Sequence, residues 1–234
     1  DDLIKEYAPS LSAYLAENPD IDKYIKTNDG QYYVFPFIRG DKMLRVTSGM
    51  VIRNDWLKEL GLKEPTTLEE MENVLRAFKE KKGAKAPLSI LSSNTFRLLE
   101  MCGSHHAFYL NNGKVEYGPY EPQFREALET MNRWFNEGLL DKNYVSTDST
   151  MLDANVLNGD TGVTFCSGGS GLGKWLQTME GKGESFDLKA LPVLSYKDSG
   201  LPRFIAAENP FVPGSSVAIT RSCKYPELAA KFLD

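Results

Sequence analysis

The run from Gly49 to Lys82, GMVIRNDWLKELGLKEPTTLEEMENVLRAFKEKK, leaves its own backbone few alternatives. Gly49 to Arg53 is a short apolar stretch of the kind that forms a buried strand. Asp55 is placed to cap a helix beginning at Trp56 by accepting hydrogen bonds from its first N–H groups. Leu57 and Leu60 fall on one face of that helix. Gly61 ends it, because glycine enters the left-handed cap position without a steric cost, and Pro65 blocks any continuation. Thr67 and Glu70 have the spacing of a capping box. Behind them Leu68, Met71, Val74, Leu75 and Phe78 form one apolar stripe at helical spacing. This module is a strand, a short helix, a turn and a longer helix, and it carries no chemistry of its own.

The same signals recur along the chain. Leu3, Ile4 and Tyr7 predict a helix ending near Pro9, and Leu11, Tyr14 and Leu15 continue its apolar face. Asn28-Asp29-Gly30 is a turn signal. Gln31 to Phe37 reads as a strand, with Pro36 placing it at an edge or a strand end. Gly40-Asp41 reads as a second turn, leading to Met43–Val46. Ala86 to Leu91 is a further apolar strand candidate, and Phe96 to Met101 a helix stopped by Gly103. Asn111-Asn112-Gly113 is a hairpin turn between Phe108–Leu110 and Val115–Tyr117. Pro122 suits the first position of a helix whose Phe124, Leu128, Met131 and Phe135 repeat at helical spacing up to Gly138. Leu152 to Leu157 is a short helix and Gly162 to Cys166 a buried strand, followed by a glycine cluster. Ala190–Val193 and Val217–Ile219 are two more short strands. The helix opened by Pro226 runs to Asp234 without a C-cap, which predicts that the chain is part of a longer protein. Strands alternating with helices, without tandem repeats, predict an α/β architecture.

With 234 residues and 41% hydrophobic content, the chain can bury one large core or two small ones. A net charge of −5 argues against nucleic acid as a partner, since phosphate binding needs a basic face. No apolar run approaches a membrane span. Asp1 is not an initiator methionine, so the lack of a leader pattern carries little information on location. Cys102, Cys166 and Cys223 are odd in number and widely spaced, which suggests buried thiols rather than a disulfide framework or a zinc site.

The chemically suggestive motif is Gly168-Gly169-Ser170-Gly171-Leu172-Gly173-Lys174-Trp175. It has P-loop spacing up to the lysine, but Trp175 stands where a Ser or Thr would hold magnesium. A glycine-rich strand-to-helix turn still presents free N–H groups and lets a ligand approach the backbone. The same glycines also suit a tight turn with no ligand. His105 and His106 are adjacent and so do not make the i, i+4 metal pair of a helix; a loop or surface role is expected. Ser170 lacks the G-x-S-x-G frame of a hydrolase elbow, and no carboxylate pair stands out as an acid/base couple. No catalytic set, metal site or cofactor is expected. Trp56 and Trp134 are expected in the core, and Trp175, beside the glycine turn, as a cleft wall.

Several stretches, taken in order, resemble the extracellular solute-binding proteins of family 1, the maltose-binding-protein-like receptors of ABC importers. They are Asp29-Gly30-Gln31-Tyr32-Tyr33 with Phe35-Pro36; Val51–Leu57 with Gly61-Leu62 and Pro65–Glu70; and Tyr117-Gly118 through Trp134–Leu139. Gly162–Phe165, Ser216–Thr220 and Pro226–Leu233 complete the series, which covers nearly the whole chain. The resemblance implies an α/β, type II periplasmic-binding-protein-like lobe, a mixed sheet flanked by helices, within an incomplete two-lobed fold. On that plan residues 1–48 are a hinge-proximal segment belonging largely to lobe 1. Residues 49–234 are lobe 2, with the return crossing near 205–220.

Carried over by position, the ligand-binding candidates are Arg45, Thr47 and Ser48 at the first crossing, and Asn94 and Phe96 after the next strand. Ser167, Gly169, Ser170 and Trp175 follow at the glycine turn, and Glu208 and Asn209 at the second crossing. Gly-Gly-Ser stands where sugar binders often have an aromatic residue. The implied function is that of a solute receptor, monomeric, located at the cell surface as a lipoprotein or in the periplasm. It would bind a small polar solute, an oligosaccharide by family type, and hand it to ABC permease subunits. Two other classes compete: an enzyme using the glycine turn, either a phosphotransferase or a carbohydrate-active hydrolase, and a surface interaction domain. The absence of a nucleophile–base or metal set in the sequence favours the receptor.

Overall fold

The protein is described here from a computed structural model, which covers residues 2–182, 185–195, 209–212 and 214–234. Its described residues fall into two compact units, one from residues 1–47 and 207–234 and one from residues 48–206. The family plan places residues 209–234 with the second lobe; their contacts place them with the first unit instead.

The larger unit is built around β1 (Ser48–Arg53), the strand anticipated in the Gly49–Lys82 run. It is followed by α4 (Asn54–Leu60), α5 (Leu68–Lys82), α6 (Thr95–Met101), the hairpin β2 (Phe108–Asn111) and β3 (Lys114–Tyr117), and α7 (Pro122–Glu137). Then come α8 (Ser149–Leu157), β4 (Val163–Ser167), α9 (Lys174–Met179) and β5 (Leu188–Leu191). The main sheet runs β4-β1-β5 and is antiparallel throughout, with Ser48 opposite Ser167 and Met50 opposite Leu191. Parallel bridges from Leu88 to Val163 and to Leu140 extend it, so the sheet is mixed.

The continuous apolar character of β1 follows from its position, because both of its faces are covered. Met50 and Ile52 point into a core with Met71, Leu75, Phe78, Leu98 and Trp134 of α5, α6 and α7. Val51 points the other way, among Leu152, Val156, Trp175 and Leu188. Each fully buried side chain of this size contributes roughly 1.5–3 kcal/mol.

The local signals that shape α5 are present as read. The Thr67 side chain accepts from Glu70 N while the Glu70 carboxylate accepts from Thr67 N, and Gly83 closes the helix at φ +69°. Gly61 and Gly138 end α4 and α7 in the same left-handed conformation. One reading is corrected. Asp55 does not cap α4 but lies within its first turn, where Arg53 Nε and Nη2 grip its carboxylate at 2.8 and 2.5 Å. The guanidinium stacks on Trp56 and Phe186, so the buried charge pair is enclosed by aromatic faces. The carbonyl of Asp187 accepts from Asn54 N at 2.8 Å and so serves the helix start.

In the smaller unit α1 (Asp2–Tyr7), α2 (Pro9–Glu17), α3 (Pro19–Ile25) and α10 (Pro226–Leu233) surround Ile4, Ala8, Phe35 and Ala230. Gln31–Phe37 and Val217–Ile219 do not form strands. Their backbones pair through one antiparallel bridge, Phe35 to Val217, with N···O distances of 2.7 and 3.0 Å. Ala86–Leu91 likewise contributes the bridges at Leu88 rather than a strand, and Lys42–Arg45 is a 3-10 turn.

Candidate functional site

In the larger unit the β1 and β4 ends bring Ser48 and Ser167 together as register partners, both half-buried. Arg97, on the first turn of α6, donates from Nη2 to Ser48 Oγ at 2.7 Å. Its guanidinium lies 5.4 Å from the Phe96 ring centre and 5.8 Å from that of Phe165. Asn94 occupies the position before α6 without capping it, which leaves its amide uncommitted to the helix. One patch thus combines two hydroxyls, a cation and a half-buried aromatic ring. Four of its residues were expected from the sequence. Arg97 was not, because only the fold brings it to Ser48, 49 positions away; a cation directly after Phe96 is the one local hint.

Ser167 leads into a single π-helical turn, Gly168–Gly173, and then α9. Gly168, Gly169 and Ser170 are exposed, and a Cβ at Gly168 or Gly169 would meet no atom within 4 Å. The turn therefore offers open backbone on this side. Gly171 is the opposite case: a Cβ there would stand 2.5 Å from Cys166 Cβ, so only glycine lets the turn close onto β4.

Trp175 departs from its expected role. It is 2% exposed, packed with Val51 and Leu152 below the sheet, and its indole N–H donates to Asp153 Oδ1 at 2.7 Å. It is a core residue of this unit and not a cleft wall. Lys174 pairs with the same carboxylate through its ammonium. The lysine of the P-loop-like run is thus paired with a carboxylate of α8. Burial pushes the Cys166 thiol up to about 11, so it is no nucleophile near neutral pH. One turn beyond Arg97, burial also raises the Glu100 carboxyl, opposed by His105, Arg97 and His106.

In the smaller unit Arg45, Thr47 and Asn209 meet through hydrogen bonds. Arg45 Nε donates to the Asn209 carbonyl at 2.7 Å, and Asn209 N donates back to the Arg45 carbonyl at 2.9 Å. Asn209 Nδ2 reaches Thr47 Oγ1 at 3.2 Å, and the Arg45 guanidinium covers the Phe211 ring at 4.1 Å. Glu208 lies outside the described residues.

The sequence profile of bacterial extracellular solute-binding proteins matches residues 1–234, and the chain belongs to that family. Fructooligosaccharide ABC transporter substrate-binding protein FusA of Streptococcus pneumoniae is 28% identical over 254 aligned residues, covering 100% of this chain and 45% of the relative. Polygalacturonan/rhamnogalacturonan-binding protein YtcQ of Bacillus subtilis is 30% identical over 170 residues, covering 65% of this chain and 33% of the relative. Among solved structures, the alginate-binding protein AlgQ2 without calcium ion superposes with a TM-score of 0.76 at 26% identity, covering 99% of this chain and 48% of that one. The fold is thus the type II periplasmic-binding-protein-like one. The chain spans less than half the length of the curated relatives it matches.

Proposed function

We propose that the whole protein is the solute receptor of an ABC importer and that its solute is a carbohydrate, held between two lobes without being transformed. The observation that carries this reading is the family match along the full length of the chain, joined to relatives named for fructooligosaccharide and polygalacturonan. The patch on the larger unit suits such a solute. The Phe96 ring offers a face for the apolar side of a sugar, and Ser48, Ser167 and Arg97 offer donors and acceptors for its hydroxyls. Gly169 and Ser170 add exposed backbone on the same unit; within the smaller unit, taken by itself, Arg45, Thr47 and Asn209 form a polar cluster of their own.

On this reading the receptor works as a monomer outside the cytoplasmic membrane, in the periplasm or lipid-anchored at the cell surface, and delivers solute to two permease subunits. Among the described residues no helix is long and apolar enough to cross a membrane. A thermal-shift panel on the full-length protein tests it. One class of oligosaccharide is expected to raise the melting temperature, its binding adding roughly 2.7 kcal/mol of stability at a hundredfold excess over Kd. Stabilisation by ATP with magnesium alone, or by peptides and no saccharide, would overturn it.

A further inference from the structure

The chain has two histidines, and the fold places both beside one carboxylate. Candidate donor atoms of Glu100, His105 and His106 all lie within 4.8 Å of one another. His105 Nε2 is 3.8 Å from Glu100 Oε1. On the other side of the same ring, Nδ1 lies 3.2 Å from both the carbonyl and the N–H of Ala107, so either tautomer finds a backbone partner there. A cation at Nε2 would select the tautomer in which Nδ1 carries the proton and donates to the Ala107 carbonyl, with the Nε2 lone pair on the Glu100 side. A backbone carbonyl orienting an imidazole in this way is a common support for metal-ligating histidine.

The backbone that carries these groups is held in place. Gly103, at φ +75°, closes α6, its N–H donating to the Glu100 carbonyl at 2.9 Å. Gly118 N donates to the Ala107 carbonyl at 3.2 Å, and a Cβ on Gly118 would stand 1.9 Å from the His105 carbonyl oxygen. Residues 105–107 are therefore pressed against bare backbone. The His106 ring, on an exposed residue, stacks on His105 at 4.9 Å and also contacts Phe96 at 5.2 Å.

We propose that Glu100, His105 and His106 bind a divalent d-block cation of the zinc class, with one carboxylate oxygen and two imidazole nitrogens as ligands. Bonds of about 2.0–2.2 Å bring tetrahedral ligand atoms to roughly 3.4 Å from one another. The Glu100–His105 separation is close to that, and rotation of the exposed His106 side chain closes the rest. Imidazole with a carboxylate suits zinc, nickel or copper, and is a poor match for calcium, which prefers six to eight oxygens. A bound ion would also fix His106 beneath Phe96, a residue of the proposed solute site. The metal site itself does not depend on the receptor reading.

The test is calorimetric titration of the EDTA-treated chain with ZnCl2 in a non-coordinating buffer. One equivalent is expected, with affinity falling at least tenfold in Glu100→Gln and in His106→Ala, the latter altering an exposed side chain. Circular dichroism checks that each variant is folded. Thiol blocking with N-ethylmaleimide leaves the binding unchanged if the imidazoles carry it. Undiminished binding in His106→Ala and in the double variant His105→Ala/His106→Ala overturns the proposal. So does loss of binding on thiol blocking, or the absence of saturable binding by the unaltered chain.

Discussion

The Trp134 indole N–H donates to Glu72 Oε2 at 2.8 Å and ties α7 to α5 across the main core. Arg133 and Arg76 reach the same carboxylate at 2.5 and 2.8 Å. Burial alone would raise this carboxyl, but the three donors outweigh it and hold it at about 2. The folded-state value lies below the ordinary one, so the stabilisation is complete above the unfolded pKa near 4.5 and is lost as pH falls towards about 2. With the carboxylate partly exposed, a discounted contribution is on the order of 2 kcal/mol. Glu72→Gln is expected to lower stability near neutral pH, and the gap to the unaltered chain should shrink between about pH 5 and pH 2. Urea unfolding across that range checks it; a gap independent of pH would assign the loss to packing.

Trp175 stands in the core and spends its N–H on Asp153. Trp175→Ala is therefore expected to cost about 3–5 kcal/mol. Trp175→Phe, which keeps most of the volume and leaves Asp153 one donor short, should cost about 1–3 kcal/mol. Denaturant midpoints of the two variants give the comparison. Loss of solute affinity without loss of stability would return Trp175 to the cleft.

Two glycines separate packing from access. At Gly162 a Cβ would stand 2.3 Å from Phe78 Cδ2 and 2.9 Å from Trp56 Cζ3, so Gly162→Ala should destabilise by about 1–3 kcal/mol or more. At Gly169 a Cβ meets nothing within 4 Å, and Gly169→Ala should leave the melting temperature unchanged. If solute rests on that open backbone, the same Gly169→Ala weakens binding in the full-length protein, as measured by titration.

Arg97 holds Ser48 through a charged hydrogen bond. In the full-length receptor, Arg97→Ala is expected to lower solute affinity by about tenfold, the equivalent of roughly 1.4 kcal/mol. Ser48→Ala, which removes only a hydroxyl, should cost less. Titration of both with the stabilising saccharide checks the order; an unchanged affinity in both variants removes this patch from the site.

Features set within a few residues were readable beforehand. The Thr67–Glu70 box, the stops at Gly61 and Gly138, and the Asn111–Gly113 hairpin depend on neighbours in sequence, and each forms as read. Gln31–Phe37 has the composition of a strand yet makes a single bridge, because the partner it needs lies at Val217. Asp55 had two possible uses, cap or ion pair, and Arg53 two residues earlier decided between them. Trp175 was misjudged because α9 is entered through a π turn, and the phase of the helix after such a turn cannot be counted from the strand before it. Ser48, Thr47 and Asn209 were named as candidates from the family's order of motifs. Arg97 was missed, since its reach to Ser48 is a property of the packed α6 and β1 alone.

The smaller unit is stitched from two distant stretches of chain. α10 packs on α1, and the Asp234 carboxylate accepts from Ser10 N at 3.1 Å and Leu11 N at 2.8 Å, at the start of α2. During synthesis the larger unit emerges as one continuous stretch and can complete its core while α1 to α3 still await their partner. Its closure is local, whereas the Ser10–Asp234 contact of the smaller unit spans more than two hundred residues, so that unit is expected to close later. A nascent chain stalled before Pro226 should therefore already protect Trp134 from solvent while Ala8 and Phe35 stay open to it.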